Sequence, residues 1–129
     1  MFETLSIIFW PGIFLLISRL NLHNEPKTNH KLHVNMLSSV NCYSTVLLGG
    51  VYYLTNNPTI RNFAITNSMN YFAWDTCRII LLKRNNENIY ILHHTLGILM
   101  LEYAKLPLYT NYLYKSYVIG EMSNIFMYI

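Results

Sequence analysis

At 129 residues the chain has room for one domain and no more. Charged residues make up 12% and hydrophobic ones 53%, against about 25% charge in an ordinary soluble domain, and that shortfall points to lipid. The net charge of +3 is small and its basic residues sit in short connectors rather than in a stripe, which excludes a nucleic-acid surface.

Segments poor in Lys, Arg, Asp and Glu follow one another along the chain. Residues 4–18 are uncharged and mostly apolar, interrupted by Pro11-Gly12. The preceding "MFE" is acidic and Arg19 comes after the apolar stretch, the reverse of a secretory signal. This segment is therefore expected to be a retained helix, kinked at Pro11. Residues 34–60 are uncharged, 62–82 carry only Asp75 and Arg78, 88–101 carry only histidines, and 106–129 carry only Lys115 and Glu121. A spanning helix needs about 20 mainly apolar residues, which the middle segments supply. Mean hydropathy is still only +0.24, because frequent Asn, Ser and Tyr dilute the apolar residues.

The connectors suggest an orientation. Loop one, "RLNLHNEPKTNHKLH", and loop three, with Lys83 and Arg84, are basic, while loops two and four are nearly neutral. The positive-inside rule then places the odd loops in the cytosol. The fold class expected is all-α: a multi-pass transmembrane bundle of about five helices, its N-terminus lumenal or exterior. The alternative is a small soluble helical bundle with unusually apolar helices, which the alternating loop charge disfavours. Cys42 and Cys77 lie in apolar segments without CxxC spacing, and both are expected as small buried thiols.

Within this apolar background a few ionisable residues stand out. Asp75 lies eight residues before Lys83 and Glu121 eight before the last residue, each about 12 Å along a helix. His93 lies five residues after Asn88, about 7 Å. All three fall at the same end of the bundle. Ionisable groups inside a span are costly and face a partner or a wet cavity, so a shared polar pocket is expected. Helical spacing puts Asn67, Tyr71, Trp74, Asp75 and Arg78 on one face, and Tyr114, Tyr117, Glu121 and Asn124 on another. Asp75 and Arg78, three residues apart, can also simply pair. His93 and His94 diverge by about 100° on a helix, so they cannot serve one contact, and interhelical hydrogen bonding is the plainer role for either. No metal is expected: the adjacent histidines diverge, and His23, His30 and His33 read as residues of a solvated loop. Phosphate-binding glycine loops and a nucleophile elbow are absent.

Three elements in order carry a resemblance. "YFAWDTCRIILL", a short basic turn, "ILHHTLGIL" and "GEMSNIF" resemble the TLC-domain family, which includes ceramide synthases, translocating-chain-associating membrane proteins and the ceroid-lipofuscinosis endoplasmic-reticulum protein. The matching positions are Tyr71 to Asp75, His93-His94, and Glu121 with Ser123, and the likeness runs from about residue 33 onward. It implies an N-terminal membrane helix and basic loop over 1–32 and a partial TLC-like domain over 33–129. Asn41 stands where many members have a His after Ser-x-x, and the His-Asp-x-Ser-Asp element of the synthases is replaced by "GEMSN". The chain therefore resembles the non-synthase branch, ending where that domain normally continues.

What the resemblance implies is a multi-pass protein of the endoplasmic reticulum or a related endomembrane. It would bind or regulate membrane lipids, sphingolipid or acyl-CoA among them, through a pocket of Asp75, His93, His94, Glu121 and Ser123. It would need no cofactor, and a homo- or hetero-oligomer in the membrane would suit it. A second reading is an acyltransferase of the ceramide synthase type, with His93 or His94 as nucleophile or general base on a thioester and Asp75 orienting the imidazole. The third is a non-catalytic cargo or translocation helper.

Overall fold

Two prolines set where the long helices begin. Pro26 and Pro58 stand in the first turns of their helices, where a missing N–H costs nothing and the fixed φ is already helical. A computed structural model describes residues 2–128. Among these are five α-helices: α1 (Phe2–Ser18), α2 (Pro26–Thr55), α3 (Pro58–Leu81), α4 (Asn88–Ala104) and α5 (Lys115–Tyr128). A 3-10 turn, Asn85–Glu87, leads into α4, and a π-helical turn, Thr110–Tyr114, into α5. The all-α class and the number of helices agree with the sequence reading.

Two boundaries differ most: the last segment, expected from residue 106, becomes helical only at the π-helical turn from Thr110, and α2 starts early. Loop one was expected to run to about residue 33, yet α2 begins at Pro26. The connector shrinks because its polar residues fold back on the helix start. Asn29 Oδ1 accepts from the amides of Leu22 and His23 at 2.9 and 3.2 Å, and the His33 ring donates to the Leu20 carbonyl at 2.7 Å. Between α2 and α3 only Asn56 and Asn57 intervene. Asn56 takes a left-handed conformation, φ 51°, and Asn57 caps α3 by accepting from the Thr59 amide at 2.9 Å, the two tasks for which Asn is well suited.

α2 and α3 form the centre. Each runs antiparallel to the other, paired through Ser38–Tyr71 at 2.7 Å and Thr45–Ser68 at 3.0 Å. α1 packs on α3 and α2, α4 on α3, and α5 on α2, whereas α4 and α5 barely meet. Trp10 of α1 is wholly buried: its ring lies 4.9 Å from that of Tyr71 and its indole N–H donates to the Asn67 carbonyl at 3.0 Å. Burying a large apolar side chain contributes about 1.5–3 kcal/mol, and Trp10, Leu37, Ile65, Phe72 and Leu101 share one core.

The distribution of polarity is inverted. Leu54, Leu108 and Leu81 are 89%, 82% and 78% exposed, while Asp75, Arg78 and Glu121 are 3%, 6% and 5% exposed. Cys77, expected to be buried, is exposed on the outer face of α3, near the equally outward Ile80 and Leu81, and only Cys42 is buried. No described helix is long and apolar enough to cross a membrane. The long ones, α2 with 30 residues and α3 with 24, carry the buried polar side chains, and the apolar α1 and α4 have 17 residues each. The expected spans are thus realised as helices, but none taken singly as a crossing one. Pro11 lies inside α1, which continues through it.

α3 and α4 approach closely at Gly97. A Cβ there would meet the Phe72 ring at 2.8 Å, and that ring is held against His94 at 5.0 Å. Gly97→Ala should therefore destabilise the bundle by about 1–3 kcal/mol through overpacking. Gly120→Ala, where a Cβ meets nothing within 4 Å, should stabilise by up to about 1 kcal/mol through helix propensity. Thermal unfolding of the purified variants checks both signs.

Candidate functional site

The pattern of α2 builds one wall of a cavity. Lys27, Lys31, Asn35, Ser38 and Cys42 recur at helical spacing and line it together. α3 adds Tyr71, Asp75 and Arg78, α4 adds His93 and His94, and α5 adds Glu121. This half-open cavity has a volume of about 850 Å³, within the range of small-molecule sites.

Its charged centre is Arg78. The guanidinium Nε donates to Asp75 Oδ1 at 2.6 Å and Nη2 to Glu87 Oε2 at 2.7 Å. Nη1 donates to His30 Nε2 at 3.3 Å. One cation thus joins α3 to α2 and to the α3–α4 turn. The side chains of Asp75 and Arg78 are 5% and 4% exposed, so each needs the other. Removing one partner of such a pair costs several kcal/mol because the remaining charge is stranded. The expected Asp75–Arg78 pairing is present, and it coexists with the cavity.

His94 and His93 take different positions. His94 is buried, with Nδ1 3.8 Å from Asp75 Oδ2 and 3.4 Å from Thr76 Oγ1. The first distance is beyond a direct hydrogen bond. His93 is exposed on α4 and opens onto the cavity, its ring edge-on to Phe72 at 6.1 Å. Glu121 is buried on the far wall, where Cys42 Sγ donates to its Oε2 at 2.8 Å. Asp75, His93, His94 and Glu121 therefore share one lining. Ser123 does not. Its hydroxyl donates to the Gly120 carbonyl at 2.6 Å, and it borders a smaller adjoining cleft between α4 and α5.

Several residues of the site escaped the sequence reading. Cys42, expected as a small buried thiol, is buried, and it also donates to Glu121. Asn41 is 1% exposed, lines the cavity, and its Oδ1 has no hydrogen-bond partner among the described residues. His30 and Glu87 were assigned to solvated connectors but meet at Arg78. The signal was the i, i+4 stripe that continues from Lys27 through Lys31 into α2, hidden once those residues were assigned to a loop. Of the three histidines expected in a loop, His33 is buried on the Leu20 carbonyl and His30 is half-buried against Arg78. No group of three or more possible metal ligands occurs among the described residues.

His30 accepts a hydrogen bond at Nε2 from Arg78, which requires the neutral ring. Partial burial, then the positive charges of Arg84 and Arg78, hold its pKa below the ordinary 6.5, with Glu87 opposing and His33 adding to the depression. The unfolded chain therefore takes up this proton first as pH falls, and His30 disfavours the fold progressively below about pH 6.5. Replacing it by Gln should flatten that part of the stability–pH profile, measured by thermal melting between pH 8 and 5. A second outcome follows from the buried pair. Arg78→Leu should cost about 3–5 kcal/mol, and adding Asp75→Asn to that variant should recover part of the loss, read by denaturant unfolding in detergent.

Compared with protein-family models, with curated proteins and with solved structures, the chain matches none.

Proposed function

We propose that the chain is a membrane-embedded helical protein that binds or regulates a membrane lipid in the cavity between α2, α3, α4 and α5, as the TLC-domain resemblance implies. The observation that carries this reading is the cavity of about 850 Å³, lined by Asp75, Arg78, His94 and Glu121, inside a bundle whose outer surface is studded with Leu, Ile and Phe. Water rewards the opposite arrangement, and large exposed apolar patches mark contact with lipid or protein. Lipid rewards this one. With α2 about 45 Å long and α3 about 36 Å, their length exceeds a hydrocarbon core of about 30 Å. Their polar side chains turn inward to partners, which is how intramembrane polar groups are tolerated. Tyr53, Tyr103, Tyr109 and Tyr112 are exposed at the end of the bundle remote from the cavity, where amphipathic rings suit a lipid–water boundary. The basic turn at Lys83-Arg84 marks the other end, which this reading places in the cytosol.

The acyltransferase reading stands second. His94 does sit beside Asp75, but the carboxylate is engaged by Arg78 at 2.6 Å while the imidazole stays at 3.8 Å. The base therefore lacks the hydrogen-bonded orienter that such chemistry uses.

The chain should remain in the membrane fraction after alkaline carbonate washing, and native mass spectrometry of the detergent-purified protein should show bound lipid. Release by carbonate would remove the membrane reading. A lipid-free chain that crosslinks to another polypeptide would favour the helper role instead. For orientation, Asn86→Cys in a Cys77→Ser background should react with an impermeant thiol reagent only from the cytosolic side.

A further inference from the structure

The cavity has two unequal ends. Towards the α3–α4 turn it is bordered by Lys27, Lys31 and Arg84. Among the described residues none of the three has a carboxylate within ion-pair distance. Arg84 Nε is buried and donates to no acceptor among the described residues. The nearby carboxylates of Asp75 and Glu87 are already committed to Arg78. A surplus of unpaired donors and positive charge therefore faces the cavity from one side. At the opposite side the cavity adjoins the α4–α5 cleft, of about 330 Å³, sharing Phe72, His93, Glu121 and Asn124 with it. Leu96 and Met100 form its apolar wall, and Gly120 leaves open space where a side chain would project.

From this asymmetry we infer that the occupant is a single-chain amphiphile bearing a phosphate. Its head sits among Lys27, Lys31 and Arg84, and its hydrocarbon chain runs between α4 and α5. This deepens the lipid-binding reading and rests on it. Phosphate suits the head because it carries enough negative charge and acceptor oxygens for two ammonium groups and a guanidinium. The chain has an apolar route out because α4 and α5 barely meet.

The test uses the full chain in nanodiscs of phosphatidylcholine, with dodecyl phosphate, dodecanol and inorganic phosphate as probes. Dodecyl phosphate should bind, and the combined Lys27→Gln, Lys31→Gln, Arg84→Gln variant should weaken it at least tenfold while leaving dodecanol unchanged. Lys27→Arg with Lys31→Arg, which keeps the charge, should hold affinity within about threefold of the parent, and so separate loss of charge from loss of fold. Gly120→Leu, whose Cβ meets nothing within 4 Å and whose side chain projects towards the cleft, should weaken both dodecyl probes. Equal binding of dodecyl phosphate and dodecanol, insensitive to the three Gln substitutions, would overturn the phosphate site yet leave the lipid cavity standing. Inorganic phosphate binding as tightly as dodecyl phosphate would assign the site to a soluble anion and overturn the amphiphile. Failure of both dodecyl probes to bind would remove the lipid-binding reading itself.

Discussion

Burying a guanidinium is expensive, and the way this chain meets that cost at Arg78 organises the site end of the bundle. One cation receives Asp75 from its own helix, Glu87 from the turn that follows and His30 from α2. An ion pair in a low-dielectric interior is tolerated only when its remaining donors are also satisfied. Arg78 uses Nε, Nη1 and Nη2 for three different elements. The α3–α4 turn is thereby fixed against the start of α2, and the cavity acquires a rigid charged floor. Partial burial, then the positive charges of Arg84 and Arg78, hold the His30 pKa below its ordinary value.

The inverted polarity follows from the same economy of partners. Hydroxyls and amides on α2 and α3 find one another, Ser38 with Tyr71 and Thr45 with Ser68, so these helices meet through hydrogen bonds as much as through apolar contact. Their outward faces are left to Leu, Ile and aromatic residues. Where partners run out, cavities begin. α4 touches α3 closely at Gly97 but scarcely reaches α5, and the polar side chains between them line open space rather than a packed core.

Two adjacent histidines show how a local pattern acquires different fates. His94 turns into the bundle, stacked on Phe72 and close to Asp75, while its neighbour remains at the cavity's edge. The quarter-turn between them was legible from helical geometry alone. Which of the two would be buried was not, because that depends on where α3 places Phe72. Glu121 is similar: its helix face could be read from sequence, but its partner could not, since Cys42 lies 79 residues away.

The sequence by itself determined the helices, because charge-free apolar runs and the prolines that open α2 and α3 are local properties. It also determined a face: Asn67, Tyr71, Asp75 and Arg78 are buried and Trp74 half-buried on the side of α3 that their spacing marks out. It misplaced the start of α2, because the polar residues after Pro26 look like a connector until Asn29 and His33 are seen satisfying the chain that precedes them. Only the tertiary structure decided that Cys77 is exposed and Cys42 buried, that Ser123 borders the adjoining cleft rather than the main cavity, and that His30 and Glu87 meet at Arg78. Those outcomes depend on which helices become neighbours. Neighbour choice is set by long-range packing, to which periodicity along one helix carries no information.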